Sequence, residues 1–281
     1  MKEIITGGYR AQPVLGSSLW LDGGAMFGVV PKSLWKDKTR PDDKNRIHLA
    51  AEPLLLRGGG KTILLEGGTS LNFDEKMKKI YRVGGDGLEE DLGKLGVEPG
   101  DVDLVIMTHL HFDHAGGLVK RDPAGGLSPT FPRARIVVQA MELEDALNPP
   151  AIRAASYRTD DLALLNEAGL FETVDGTAEV APAIIVEPAT SHTRGHQTIR
   201  IGEGSETVVF VGDLIPTAAH INPAWLMAYD LYPAECSRAR GDLLERAAEQ
   251  GWTLYFYHDP VSKAGTVSRN ERGKYTFVPL S

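Results

Sequence analysis

The stretch Thr108-His109-Leu110-His111-Phe112-Asp113-His114 places three histidines and an aspartate within six positions. It follows the apolar run 102–107, which predicts a buried strand. In an extended segment alternate side chains share a face, so His109, His111 and Asp113 point the same way, and His114 joins them if the backbone turns. Four such ligands exceed what one tetrahedral ion usually takes from one loop. The stretch therefore predicts a site for two metal ions; a solvated polar loop is the weaker alternative, since the chain has eight histidines in 281 residues.

The pattern His109-x-His111-x-Asp113-His114 after an apolar strand resembles the signature of the metallo-β-lactamase superfamily. The resemblance implies the α/β class and a four-layer αβ/βα sandwich, in which two mixed sheets pack face to face and residues 1–281 form a single domain. It also implies a site for two ions at one edge of the sandwich. Three further ligands, a histidine, an aspartate and a last histidine, are then expected downstream.

Three later positions match these expected ligands in order. His196 is the second histidine of the stretch Ser191-His192-Thr193-Arg194-Gly195-His196, and the resemblance makes it the ligand, with His192 supporting the loop through a hydrogen bond. Asp213 ends a strand-like run and matches the carboxylate that bridges both ions, and His258 follows the apolar run 252–257. The resemblance therefore implies His109, His111 and His196 for the first ion, Asp113, His114 and His258 for the second, and Asp213 for both.

The glycine-rich stretch 22–31 predicts a tight loop. It resembles the lactonase and phosphotriesterase-like branch of the superfamily, in which the corresponding loop lines the substrate pocket. That resemblance makes Met26 and Phe27 candidates for substrate binding, with burial of both in the core as the alternative.

Three residues further along the chain complete the predicted substrate site. Trp225 and Met227 supply apolar surface that can shape a hydrophobic pocket. Arg194 is expected to bring a cation to the rim of the metal site. Because one cation is few for an anionic substrate, these residues favour a neutral and partly hydrophobic one.

Two positions depart from the patterns that the chain resembles. Glu66 stands where the superfamily commonly has an aspartate, and it is expected to orient the metal loop rather than to bind metal. Acyl-homoserine lactonases carry a tyrosine three positions after the bridging aspartate, where this chain has Pro216. His220 is a candidate catalytic group in its place, with a purely structural role as the alternative.

Composition limits the class of partner. The formal net charge is −8 and the sequence pI is near 5.5, whereas nucleic acids and anionic membranes require a basic surface. A small-molecule substrate is therefore predicted, with no nucleic acid and no membrane as partner, and a homodimer is left open. No stretch reaches the roughly 18 apolar residues of a membrane span, and residues 1–8 lack the apolar core of a signal peptide, so a cytoplasmic protein is expected.

The resemblance implies a hydrolase with two divalent ions. Zinc is the first choice, and the ligand types also allow iron, manganese or cobalt. A hydroxide that bridges the two ions would attack a neutral ester, and Asp113 is the candidate to pass a proton to the leaving group. A lactone is the favoured substrate, with organophosphate triester hydrolysis as a side activity. The alternative is a superfamily oxidoreductase or a persulfide dioxygenase that uses an iron site.

Overall fold

The computed structural model describes residues 3–122 and 124–280, so the predicted absence of a signal peptide at residues 1–8 falls partly outside the described residues. The strands are β1 (Ile4–Thr6), β2 (Tyr9–Pro13), β3 (Ser17–Asp22), β4 (Arg46–Ala51), β5 (Leu54–Gly58), β6 (Lys61–Leu65), β7 (Leu104–Ile106), β8 (Val119–Arg121), β9 (Leu127–Pro129), β10 (Arg135–Gln139), β11 (Phe171–Val174), β12 (Ala178–Ala181), β13 (Ile184–Pro188), β14 (Gln197–Ile201), β15 (Val208–Phe210), β16 (Thr253–Tyr255), β17 (Ala264–Arg269) and β18 (Tyr275–Pro279). The α-helices are α1 (Gly23–Phe27), α2 (Lys32–Trp35), α3 (Glu75–Tyr81), α4 (Leu88–Lys94), α5 (Phe112–Ala115), α6 (Ala140–Leu147), α7 (Thr159–Glu167) and α8 (Pro233–Gln250).

Two sheets of seven strands each form within the described residues. The first has the strand order β1-β2-β5-β6-β7-β10-β11, and the second has the order β12-β13-β14-β15-β16-β17-β18. In the first sheet β6, β7, β10 and β11 run parallel, while β1, β2, β5 and β6 pair antiparallel. In the second sheet β15 and β16 form a parallel pair among antiparallel neighbours. Both sheets are therefore mixed, as predicted.

The sheets pack face to face because successive side chains of a strand point to opposite faces. Ile63 and Leu65 of β6 share one buried cluster with Phe210 of β15 in the second sheet. Leu64, between them in sequence, packs on the outer face of the first sheet in a cluster that includes Leu92 of α4. The order of layers on this side is thus helix, sheet, sheet.

Helix α8 supplies the fourth layer, on the outer face of the second sheet. Its residues Leu243, Leu244 and Ala247 share a buried cluster with Val209 of β15. The helix ends where Gly251 takes a φ of 70°, a left-handed conformation that suits glycine. The predicted four-layer sandwich is therefore confirmed. None of the helices in residues 3–122 and 124–280 is both long and apolar enough to span a bilayer.

The two sheets are joined by hydrogen bonds at the edge where the histidine-rich segments lie. The backbone N–H of Gln197, at the start of β14, donates to the carbonyl of Thr108 (3.0 Å), and its side-chain amide donates to the carbonyl of Met107 (2.7 Å). At the same edge, the predicted tight loop 22–31 contains the short helix α1. The Asp22 carboxylate caps this helix by accepting a hydrogen bond from the N–H of Ala25 (2.8 Å).

Candidate metal centre

The stretch after β7 forms the base of the site. His111 has an extended backbone conformation, and the short helix α5 then turns the chain back, so that Asp113 and His114 face the same space as His109 and His111. All four side chains are buried. The turn that the sequence required for His114 is therefore present.

The first ligand cluster consists of His109, His111 and His192. Nδ1 of His111 lies 3.1 Å from Nε2 of His109 and 3.0 Å from Nε2 of His192. Nitrogens bound to one tetrahedral zinc at about 2.0–2.1 Å are separated by about 3.3 Å. The three nitrogens thus have the spacing of a shared ion. Burial holds the pKa of His109 and His111 well below the ordinary value, which keeps both imidazoles in the neutral, ligating form.

The second ligand cluster consists of Asp113, His114 and His258. Nε2 of His258 lies 3.1 Å from Nε2 of His114 and 3.6 Å from a carboxylate oxygen of Asp113. The Nδ1–H of His258 donates to the carbonyl of Ala50 (2.7 Å), so the Nε2 lone pair faces the cluster.

Asp213 lies between the two clusters. Its Oδ1 is 3.3 Å from Nε2 of both His114 and His258, and its Oδ2 is 3.2 Å from Nε2 of His192. Burial alone would raise the pKa of this carboxyl, but attraction from His192 and His114 holds it well below the ordinary value. One carboxylate with an oxygen facing each cluster is the arrangement that bridges two cations.

The orientation of the rings tests whether these residues fit metal ions. The Nδ1–H of His192 donates to Oδ1 of Asp230 (3.0 Å), and the Nδ1–H of His109 donates to Oγ1 of Thr108 (3.0 Å). The Nε2 atoms therefore face one another and the oxygens of Asp213, whose Oδ1 is buried without a hydrogen-bond partner among the described residues. Acceptors facing acceptors need a proton or a cation between them, so the residues fit two divalent ions.

The structure exchanges the roles that the sequence predicted for His192 and His196. Nε2 of His196 accepts from the backbone N–H of Asp213 (3.1 Å), and His196 is not part of a ligand cluster within the described residues. A Cβ at Gly212, whose φ is 50°, would lie 2.8 Å from that nitrogen, so glycine is required for the contact. His196 therefore holds the Asp213 loop, and His192 occupies the first cluster.

Buried carboxylates hold the ligand segments in place. Glu66 accepts from the backbone N–H of Thr108 (3.0 Å) and from its hydroxyl, which orients the metal loop as expected. Asp230 orients His192 and also accepts from the N–H of Met227 (2.9 Å). Glu142 likewise accepts from the backbone N–H of Leu110, within the metal loop. The supporting roles of Asp230 and Glu142 were not predicted from the sequence, because Asp230 lies 38 positions from His192 and Glu142 lies 32 positions from Leu110.

A cavity of about 250 Å³ opens onto the ligands. Met26 and Met227, two of the predicted substrate residues, line it. Its other lining residues are Leu21, Tyr81, His111, Phe112, Asp113, Ile152, Arg153, Ala155, Ser156, His192, Asp213, Tyr229 and His258. Tyr81 and Arg153 were not recognised as site residues from the sequence, since nothing in their local pattern distinguishes them from surface residues, whereas Tyr229 belongs to the stretch that was expected to shape a hydrophobic pocket. Burial raises the pKa of Tyr229 to about 12, so its hydroxyl stays protonated.

Three predicted substrate residues lie elsewhere. Phe27 is fully buried, with its ring stacked 5.0 Å from Trp35, because α1 turns this side chain into the core. Trp225 packs edge-on against Phe27 at 5.9 Å and lines a separate groove beside α8. Arg194 forms ion pairs with Glu144 (2.5 Å) and Asp145 (2.6 Å) of α6, which neutralise it at the surface. Among the described residues, none of these three lines the cavity.

His220 has a structural position. Its Nδ1 accepts from the hydroxyl of Thr217 and its Nε2–H donates to the carbonyl of Met26, both at 2.8 Å. Its ring stacks on Phe27 at 4.5 Å. Burial, with a contribution from Arg240, lowers the pKa of His220 to about 4. Because both nitrogens are engaged away from the cavity, the prediction of a catalytic His220 is not supported by the geometry.

Several known proteins are similar to this chain in sequence and fold. A family model described as the metallo-β-lactamase superfamily matches residues 53–258. The crystal structure of a probable metal-dependent hydrolase from Staphylococcus aureus is 30% identical, with 99% of each chain covered and a TM-score of 0.88. The structure of a dizinc quorum-quenching lactonase in complex with a product, at 20% identity and a TM-score of 0.81 over 100% of this chain and 97% of that chain, shows the same fold.

Curated relatives match over a shorter segment. An N-acyl homoserine lactonase from Bacillus thuringiensis is 33% identical over 110 residues, which is 39% of this chain and 37% of that protein. The matched segments span 37–39% of the length of the curated relatives. The local identity thus extends over well under half of either partner.

Proposed function

Because the chain belongs to the metallo-β-lactamase superfamily, we propose that it is a metal-dependent hydrolase that cleaves a neutral ester, with a lactone as the favoured substrate. The observation that carries the proposal is the position of Asp213, with one carboxylate oxygen facing each ligand cluster. Two divalent ions held there supply Lewis-acid polarisation of a carbonyl group and lower the pKa of a water molecule.

The ligands divide into two sets of three around one shared carboxylate. In this proposal the first ion is held by His109, His111 and His192, the second by Asp113, His114 and His258, and both by Asp213. Nitrogen-rich sets of this kind suit zinc, and iron, manganese and cobalt are the other candidates. Asp113 lines the cavity, where its carboxylate can hold a proton for the leaving group.

The cavity wall supports the choice of an ester with apolar substituents. Met26 and Met227 line it together with Leu21, Phe112 and Ile152. Acyl or aryl groups that bury apolar area against such a wall gain about 25 cal/mol per Å² before the costs of binding. The match to an N-acyl homoserine lactonase supports a lactone within this class.

A substrate screen tests the proposal. The zinc-loaded protein is assayed against lactones of increasing acyl chain length, aryl esters and organophosphate triesters, and its metal content is measured by elemental analysis. We expect close to two ions per chain and lactone hydrolysis that rises in efficiency with chain length. Hydrolysis of none of these substrates by protein that carries two ions would refute the ester proposal, and iron with sulfur-oxidising activity would favour the dioxygenase alternative.

Paired histidine variants test the ligand assignment. His192→Ala is expected to lose the first ion, whereas His196→Ala removes only the acceptor for the N–H of Asp213 and should retain more metal. Asp213→Ala is expected to lose both ions and nearly all activity, because its carboxylate faces both clusters. Full metal content in His192→Ala, with loss in His196→Ala, would return the ligand role to His196.

A further inference from the structure

We propose that Glu142 is a positioning residue for the first metal ion. It belongs to no ligand cluster within the described residues, yet its carboxylate joins the segments that carry His109, His111 and His192. The inference rests on the proposed function, because it concerns the same metal centre.

One carboxylate oxygen of Glu142 holds the metal loop. Its Oε1 accepts from the backbone N–H of Leu110 (3.0 Å), the residue between His109 and His111. The Leu110 N–H lies 32 positions before Glu142 in sequence, so only the fold brings the two groups together. This bond fixes the peptide that sets the spacing of the two histidines.

The same oxygen also holds an aromatic support for one ligand. The hydroxyl of Tyr157 donates to Oε1 of Glu142 (3.1 Å), and the Tyr157 ring lies edge-on to the imidazole of His111 at 4.8 Å. The hydrogen bond fixes the hydroxyl end of Tyr157, and its ring packs against His111 and limits the rotation of that imidazole.

The second carboxylate oxygen holds the loop after β13. Its partner is the hydroxyl of Thr193, which donates to Oε2 of Glu142 (2.6 Å). Thr193 directly follows His192, the third member of the first cluster. Glu142 therefore fixes the backbone on either side of the space where the three ring nitrogens meet.

Close packing at Gly195 gives independent support for this docking. A Cβ at Gly195 would lie 2.3 Å from the backbone nitrogen of Glu142 and 2.6 Å from its Cα, closer than real contacts allow. The loop therefore rests directly on α6 at Glu142, and glycine at this position permits the approach. A charged side chain buried at such a junction costs free energy unless its oxygens are satisfied, and here three donors satisfy them.

Metal binding by matched variants tests the proposal. Glu142→Leu removes the acceptor from all three donors, and Glu142→Gln keeps one amide oxygen for the Leu110 N–H. Glu167→Leu is the control, because it makes the same exchange at an exposed position of helix α7. Zinc affinity is measured by competition with a chromogenic chelator, together with ion content after gel filtration and circular dichroism of the metal-free proteins.

We expect Glu142→Leu to weaken binding of the first ion by about 10–100-fold and to retain close to one ion per chain. Glu142→Gln should be intermediate, and Glu167→Leu should bind metal like the parent. A second pair of variants identifies the ion that is lost. His258→Ala removes a ligand of the second ion and should leave only the first ion tightly bound. The double variant His258→Ala/Glu142→Leu should then bind neither ion tightly.

The outcomes separate this inference from the proposed function. A parent protein that binds no metal contradicts the proposed function itself. A parent that binds two ions, with Glu142→Leu binding both equally tightly or losing both to the same extent, overturns the role of Glu142 alone. If Glu142→Leu does not fold, Glu142→Gln decides: weaker binding of the first ion supports the proposal, and unchanged binding overturns it.

Discussion

Replacement of Phe27 by alanine should destabilise the fold without changing how the enzyme selects among substrates. The ring is fully buried, stacked between Trp35 and His220. Phenylalanine buries at least about 150 Å², and at about 25 cal/mol per Å² the loss is about 4 kcal/mol. Truncations of this kind cost about 3–5 kcal/mol. We therefore expect a loss of about 4 kcal/mol in the free energy of unfolding, a large share of the roughly 5–15 kcal/mol that domains possess.

Urea unfolding of the metal-loaded proteins measures this loss. Val29→Ala is the control on the same segment, since Val29 is 93% exposed and its substitution should change stability by less than about 0.5 kcal/mol. In parallel, kcat/KM is measured for lactones of increasing acyl chain length. If Phe27→Ala unfolds like the parent and its kcat/KM no longer depends on acyl chain length, the ring belongs to the substrate pocket and not to the core.

Two further perturbations test the metal centre. Asp230→Ala removes the acceptor for the Nδ1–H of His192, so zinc affinity in a chelator competition should fall by about 10–100-fold; unchanged affinity would mean that His192 needs no such support. Removal of metal by a chelator should lower the free energy of unfolding. An ion that binds only the folded state contributes about 4 kcal/mol when its free concentration is about 1,000 times its Kd. Thermal unfolding with and without zinc measures this difference, and equal midpoints would contradict structural coupling of the ions to Asp213 and the clusters around it.

Local features of the sequence were sufficient to predict individual strands and the base of the site, and the resemblance carried by the histidine motif added the four-layer architecture. The consecutive apolar residues 63–65 indicate a strand that is buried on both faces, and this pattern depends only on neighbouring positions. Metal binding is likewise indicated by local properties, namely the ligand types and the close spacing of His109, His111, Asp113 and His114. Resemblance then located Asp213 and His258, both of which face the ligand clusters in the structure.

Positions that depend on the path of the backbone were not predictable in the same way. Phe27 and Met26 are adjacent in a glycine-rich segment, yet one faces the core and the other lines the cavity, because Asp22 caps a short helix there. His220 shares the residue type of the ligands, but its hydrogen bonds to Thr217 and Met26 turn it away from them.

The choice between His192 and His196 as metal ligand shows most clearly what the sequence alone could not predict. The two histidines lie four positions apart in one loop, and their side chains offer the same chemistry. The sequence by itself determined that a metal centre forms and which kinds of residue build it. Only the tertiary structure decided which histidine faces the ions, because that choice depends on hydrogen bonds to Asp230 and to the N–H of Asp213, 38 and 17 positions away. Contacts at such separations leave no periodic signal in the chain and exist only once the two sheets have packed.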